Sequence, residues 1–169
     1  KTQTVSDVAD LSAAAALQNN VANLRSANTN IAENLSRAQV IEEGIGNVAQ
    51  RLEKLQALAN QASAETISAN DRAALNAKFE AELKALNNVV DKTTFGGEKV
   101  LDGSLTAKNA LSINRALGIA ADADQGKLEV PSLDAKALLG KVDLDTAENA
   151  RAAFDATKAA AKTLERVFT

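Results

Sequence analysis

LQNNVANLRSANTNIAENLSRAQVIEEGIGNVAQRLEKLQALANQA, residues 17–62, is the stretch that decides the fold. Apolar side chains recur at Leu17, Val21, Leu24, Ile31, Leu35 and Ala38, with Asn28 in the skipped slot. That is a heptad seam, the face of a long helix that packs against other helices. The seam resumes at Ile41, Ile45, Val48, Leu52, Leu55, Ala59 and Ala62. The step from Ala38 to Ile41 inserts an extra three-residue spacing, which predicts a local change of supercoil there. Gly44 and Gly46 lie just beyond it, and each costs about 1 kcal/mol against Ala inside a helix, so a close helix approach or a bend is expected. With no Pro between Asp7 and Ile67, about sixty helical residues make a rod of roughly 90 Å, and the molecule must be elongated.

Downstream, Thr66 to Asn70 predicts a short break in which Ser68 and Asn70 are capping types. A second helix follows from about Asp71 to Asp91, with a stripe of Leu75, Phe79, Leu83, Leu86 and Val90. A loop this short folds the second helix back antiparallel on the first, stripe to stripe. The helical period ends at Thr93 and Thr94, and Phe95-Gly96-Gly97-Glu98-Lys99 reads as a small hairpin. Between Ser104 and Asp143, alternation at Leu111-Ser112-Ile113 and Lys127-Leu128-Glu129-Val130, punctuated by glycines and Pro131, predicts a β-rich excursion. A last helix restarts at Asp145, which is expected to cap it with Glu148 reaching back. Its face is Ala150, Phe154, Thr157, Ala161, Leu164 and Phe168. The chain thus divides into a two-helix unit over 1–92, an excursion over 93–143 and a terminal core helix over 144–169 that packs back on the bundle. The expected fold class is mainly α, an elongated antiparallel helical bundle with a small β-hairpin or β-rich excursion.

Composition agrees. Of 169 residues, 36 are Ala and 4 Phe, with a single Pro and no Trp, Tyr, Met, Cys or His. A thick aromatic core is excluded, and Ala-rich helices that approach closely are favoured. Without imidazole or thiol, most catalytic templates and the usual zinc or haem ligand sets fail. Nineteen basic against 22 acidic residues argue against a nucleic-acid binder, and no apolar run approaches the roughly 20 residues of a membrane span. The chain opens at Lys1 without a Met or a signal-peptide pattern and stops in mid-pattern on a helical face. It reads as a trimmed fragment.

The motifs that invite chemistry fall to simpler readings. Asp122-Ala123-Asp124-Gln125-Gly126 places its Gly one position early for a calcium loop and has Leu133 where a bidentate Glu belongs. Glu42-Glu43 are helix neighbours that point to different sides, which does not make an acid/base pair. Gly96-Gly97 lacks the Lys-Ser/Thr of a phosphate loop and is a turn. Asn34-Leu35-Ser36 is a formal glycosylation sequon inside a predicted helix. No catalytic residue, cofactor-binding residue, cofactor or metal ligand is assigned. The outer faces of the first helix, at Arg51, Lys54 and Gln61, are candidates for subunit contacts.

Three stretches carry a family resemblance. DVADLSAAAALQNNVANLRSANTNIAENLSRAQVIEEGIGNVAQRLEKLQALANQAS resembles the long first core helix of bacterial flagellin. NDRAALNAKFEAELKALNNVVDKTTFGGEKVLDGS resembles that family's second helix and its turn and hairpin, the most specific of the three. VDLDTAENARAAFDATKAAAKTLERV is similar to the start of the family's C-terminal helix. The resemblance covers roughly residues 5 to 105 and 142 to 169 and implies a flagellin-type helical core. In that family the two chain ends form a coiled coil at the filament axis. This chain begins after the N-terminal segment and stops before its partner, which implies that it does not polymerise by the family route. The middle segment of about forty residues implies that the large outer domains are absent or reduced to a small cap. Lys54, Gln56 and Ala57 stand where many members have arginines and an acid, on the helix face read by the innate flagellin receptor of animals.

Two functions are expected from this reading. The first is a structural subunit of the flagellar filament, exported by the flagellar secretion apparatus, extracellular, and self-assembling through helical core contacts for motility. Its partners would be other copies of itself, with an export chaperone and the filament cap. The alternative is a cell-surface flagellin homologue acting as an adhesin or receptor for an acidic polysaccharide, held by Lys and Arg on exposed helix faces rather than by aromatic platforms.

Overall fold

The computed structural model describes residues 3–104 and 130–167, with side chains over 11–104 and 130–166. Helix α1 spans Gln3–Ala62 and α2 spans Ala69–Lys92. Strands β1 (Thr94–Phe95) and β2 (Glu98–Lys99) follow, then a short helix α3 (Ala135–Leu139) and helix α4 (Ala147–Val167). Helix α1 packs against both α2 and α4. The start of α4 lies beside the end of α1, where Arg151 pairs with Glu65 at 2.8 Å, and Leu164 near its end stands by Glu42 and Ile45. Helices α2 and α4 therefore both run antiparallel to α1, the bundle that the heptad pattern predicts.

Local chemistry explains where the rod turns. Helix α1 has no basic residue in its last turn, so its terminal carbonyls need donors from elsewhere. Ser63 Oγ donates to the Asn60 carbonyl at 2.7 Å, and the Arg72 guanidinium reaches back from α2 to the carbonyls of Ala62 and of Ala64, the latter at 3.0 Å. Ser68 then caps α2, its Oγ accepting the Asp71 amide at 3.1 Å and donating to the Asp71 carboxylate at 2.6 Å. Of the two capping types in the break, Ser68 rather than Asn70 serves. At the far end of α2, Thr93 closes on the Val89 carbonyl through both its amide and its hydroxyl. The hairpin turns at Gly96 and Gly97, whose φ angles of 60° and 85° are those of the tight turn that matches strand twist and favours glycine.

The core is one continuous cluster. From α1 it takes Ile41, Ile45, Val48, Leu52, Leu55, Ala59 and Ala62, the whole second half of the predicted seam. Phe79, Leu86 and Val90 of α2 are buried against it while Leu75 and Leu83 are half-buried. Helix α4 contributes Ala150, Ala153, Ala160, Leu164 and the buried Thr157, whose hydroxyl donates to the Phe154 carbonyl at 2.7 Å. The expected α4 stripe is thereby rotated: Phe154 is half-buried and Ala161 exposed, while Ala153 and Ala160 turn inward. Alanines permit the closer approach to α1 that a buried phenylalanine would prevent.

The start of α4 also differs from expectation. Thr146, not Asp145, accepts the Asn149 amide, at 3.0 Å. Asp145 is held by the Asn76 side chain of α2 at 3.1 Å, and Asn76 accepts the Leu144 amide at 2.9 Å. The tie to α2 takes the carboxylate away from the helix end.

Of the excursion at 93–143, Leu111–Ile113 and residues 127–129 of the second expected strand lie outside the described residues. The described part holds the two-residue strands and an isolated bridge between Asp102 and Ser132. It also contains a helix, α3, capped by Asp134 through the Ala137 amide at 2.7 Å, which strand-like alternation does not anticipate. Leu133 donates its amide to the Leu101 carbonyl at 2.9 Å, and Val100, Leu101, Val130 and Leu133 join the core.

Candidate functional site

Among the described residues, the first half of the seam meets no partner. Leu11, Leu17, Val21, Leu24, Ile31 and Leu35 are between 41% and 73% exposed, whereas Ile41 to Ala62 on the same helix are at most 2% exposed. The expectation that the heptad positions are bundle core therefore fails between Leu17 and Ala38, because neither α2 nor α4 extends that far along α1. The change occurs where the heptad phase breaks. Arg37 stands over the Phe95 ring, 5.1 Å from its centre. Gly44 is a close approach, not to another helix but to the chain around the hairpin, since a Cβ there would lie 2.7 Å from Leu101 Cδ1 and 2.8 Å from Thr93 Cγ2. Helix α1 runs through this junction unbroken.

A row of apolar residues this size on one exposed helix face marks a surface built for contact. Fully burying one such side chain is worth about 1.5–3 kcal/mol, so an arm that stays bare forgoes a large stabilisation. Half of its polar residues are amides, with Arg25, Glu33 and Arg37 as the charges between Leu11 and Ala38.

Two grooves flank the bundle. Between α1 and α4, a groove of about 530 Å³ has an apolar floor that includes Ile45, Ala49, Leu52 and Leu164, with Glu42, Glu53 and Glu165 as its charged lining. Gly46 opens this groove: a Cβ there would meet nothing within 4 Å. Between α1 and α2, a shallower groove of about 400 Å³ is lined by Lys54, Ala57, Leu58, Lys78, Ala81 and Glu82. Glu82 is paired there with Arg51 at 2.9 Å, leaving Lys54 and Lys78 as its unneutralised charges.

The motifs set aside on sequence grounds fall as follows. Glu42 faces the α1/α4 groove while its neighbour Glu43 does not. Asn34 to Ser36 lie within α1, with Ser36 Oγ bonded to the Ala32 carbonyl at 3.0 Å. Asp122 to Gly126 lie outside the described residues. Among the subunit-contact candidates, Arg51 is tied to α2, Lys54 lines the basic groove, and Gln61 is exposed. Among the described residues no three His, Cys, Asp or Glu are grouped to hold a metal, and no helix is long and apolar enough to cross a membrane. The acidic groove itself was not legible beforehand, because α4 completes it from more than a hundred residues away.

The base of the excursion is clamped by two carboxylates. Asp102 is held below its ordinary pKa of 3.8 by hydrogen bonds from the Ser104 hydroxyl at 2.5 Å and amide at 3.0 Å. Asp134 is lowered by the Ala137 amide and the Ser132 hydroxyl, the latter at 2.8 Å. Lys99 of the hairpin is raised by its hydrogen bond to Asp91 of α2 at 2.6 Å. Asp102 and Asp134 order their own turns, while Lys99 ties the hairpin to α2 and the Ala135 amide, donated to Asn87, ties the α3 region to α2.

Comparison with known proteins adds to this geometry. The B-type flagellin of Pseudomonas aeruginosa is 36% identical over 98 residues, covering 58% of this chain and 20% of that one. A flagellin of Halalkalibacterium halodurans is 27% identical over 150 residues, covering 89% of this chain and 54% of its own length. The chain thus spans between a fifth and about half of these relatives. The crystal structure of Bacillus cereus flagellin shares the fold, with a TM-score of 0.60 at 19% identity, covering 80% of this chain and 76% of that one. The family model described as the bacterial flagellin N-terminal helical region matches residues 3–106, more than half of the chain, and the protein therefore belongs to the bacterial flagellin family.

Proposed function

We propose that this chain is part of a structural subunit of the bacterial flagellar filament, extracellular, and working for motility by self-assembly through its helical core. The observation that carries the reading is the bare seam from Leu17 to Leu35, whose continuation from Ile41 along the same helix is buried. A monomeric rod gains nothing from holding five large apolar side chains in heptad register in water; a subunit that packs against helices in an assembly does. The work is done by shape and many weak contacts, with no chemical step, and an export chaperone and filament cap belong to the same reading as transient partners.

Sedimentation tests it. A longer polypeptide, residues 1–169 extended at both ends by a flagellin's terminal segments, brought to polymerising salt, is expected to pellet as filaments, while residues 1–169 alone stay in the supernatant as a rod. Failure of the longer polypeptide to form filaments contradicts the proposal.

A further inference from the structure

We propose that the acidic α1/α4 groove of one copy faces the shallow basic α1/α2 groove of a second copy, making a lateral, head-to-tail contact in the assembly. The inference rests on the self-assembly reading and names the surfaces that meet. Three observations support it. The charged lining of the first groove is Glu42, Glu53 and Glu165, all acidic and none in an ion pair among the described residues, around an apolar floor. The second groove carries Lys54 and Lys78, also exposed and without ion pairs, beside the small side chains Ala57 and Ala81. The charges of the two surfaces are complementary, glutamates on one and lysines on the other.

The third observation concerns Gly46. A glycine inside a helix costs stability relative to alanine, and at Gly44 that cost is explained by Leu101 and Thr93, which leave no room for a Cβ. At Gly46 the chain itself leaves open space, in the floor of the acidic groove. Gly46 lets something from outside approach the α1 backbone closely.

The geometry decides the type of association. Glu53 and Lys54 are consecutive on α1 and so point about 100° apart, which puts the acidic and basic surfaces on different flanks of one rod. A surface that meets a different surface on its neighbour makes a heterologous contact, which propagates into rings or open filaments instead of closing as a two-fold dimer. Exposed pairs are individually weak and screened by salt, so they set register and partner choice more than strength.

Thiol cross-linking tests this, since residues 1–169 contain no Cys to compete with the introduced ones. In the longer polypeptide that carries this chain, Ala161→Cys marks the acidic groove and Ala81→Cys the basic one, both at exposed alanines. A short bifunctional thiol reagent applied to mixed copies is expected to join the two variants about tenfold more than either variant to itself. Adding Lys54→Glu and Lys78→Glu to the Ala81→Cys copy is expected to lower that yield about tenfold. Adding Glu53→Lys and Glu165→Lys to the Ala161→Cys copy is expected to restore it. Equal self-linking of each variant, or yields indifferent to the reversals, overturns the pairing. If filaments sediment normally while the pairing fails, the filament-subunit reading survives and this contact does not. If nothing sediments, the subunit reading falls, and the mixed-copy yield still decides the groove contact.

Discussion

The two halves of α1 share one helix and one kind of apolar period, yet residues 11–38 present that period to water and residues 41–62 bury it completely. The difference lies in what surrounds them. From Ile41 onward α2, α4 and the hairpin region converge on the stripe; before Ala38 nothing among the described residues does. A heptad pattern states that a face needs a partner, not that the same stretch of chain supplies it. One half of α1 builds the core of the chain, and the other stays exposed, available for assembly on the function proposed above.

Mutations that act on one half only sharpen this contrast. The largest effect is expected at the buried half's main contact: Phe79→Ala should destabilise the chain by about 3–5 kcal/mol in chemical denaturation. Leu24→Ala on the bare arm should change it by no more than about 0.5 kcal/mol. Comparable losses from the two would mean that the arm is covered in the monomer. Next come the paired glycines. Gly44→Ala must push Leu101 and Thr93 aside and should cost about 1–3 kcal/mol, whereas Gly46→Ala, in open space, should stabilise the isolated chain by up to about 1 kcal/mol; thermal melts give both signs. Removing the cap at the rod's turn, Ser68→Ala, should cost about 1 kcal/mol, less than either core change and without effect on the arm.

The smallest effect is that of pH. Asp102 and Asp134 both have folded pKa values below 3.8, so the unfolded chain binds more protons near that value. Their contribution is complete above about pH 5 and declines as pH falls through 3.8 and the lower folded values. Amide protection at residues 100–104 and 130–134, taken relative to intrinsic exchange at each pH, should therefore fall first on acidification, with little change at Leu52 and Leu55. Asp134→Asn, with Asp102→Asn, should flatten that acid response.

Much of the architecture was legible because period and punctuation are local. The seam of α1, the stripe of α2, the Gly96-Gly97 turn and the restart of α4 each follow from spacing and residue type. What was not legible depended on distant neighbours. Asp145 looks like a cap until Asn76, on another helix, takes its carboxylate. Phe154 looks like core until the alanines of α4 prove to be the face that fits α1 closely. Helix α3 is five residues long, too short for a period to show, and depends on Asp134 and on Asn87 of α2, which accepts the Ala135 amide at 2.8 Å. The bare arm was visible only as apolar periodicity, since nothing in the seam itself marks Leu35 as exposed and Ile41 as buried.

Hydrogen exchange along α1 tests the central claim most directly, measured on the chain alone and on filaments of the longer polypeptide. The account predicts that in the chain alone residues 11–38 exchange far faster than 41–62, and that assembly protects the first stretch while leaving the second nearly unchanged. Equal protection of both halves in the dilute chain, or no gain over residues 11–38 in filaments, would contradict it.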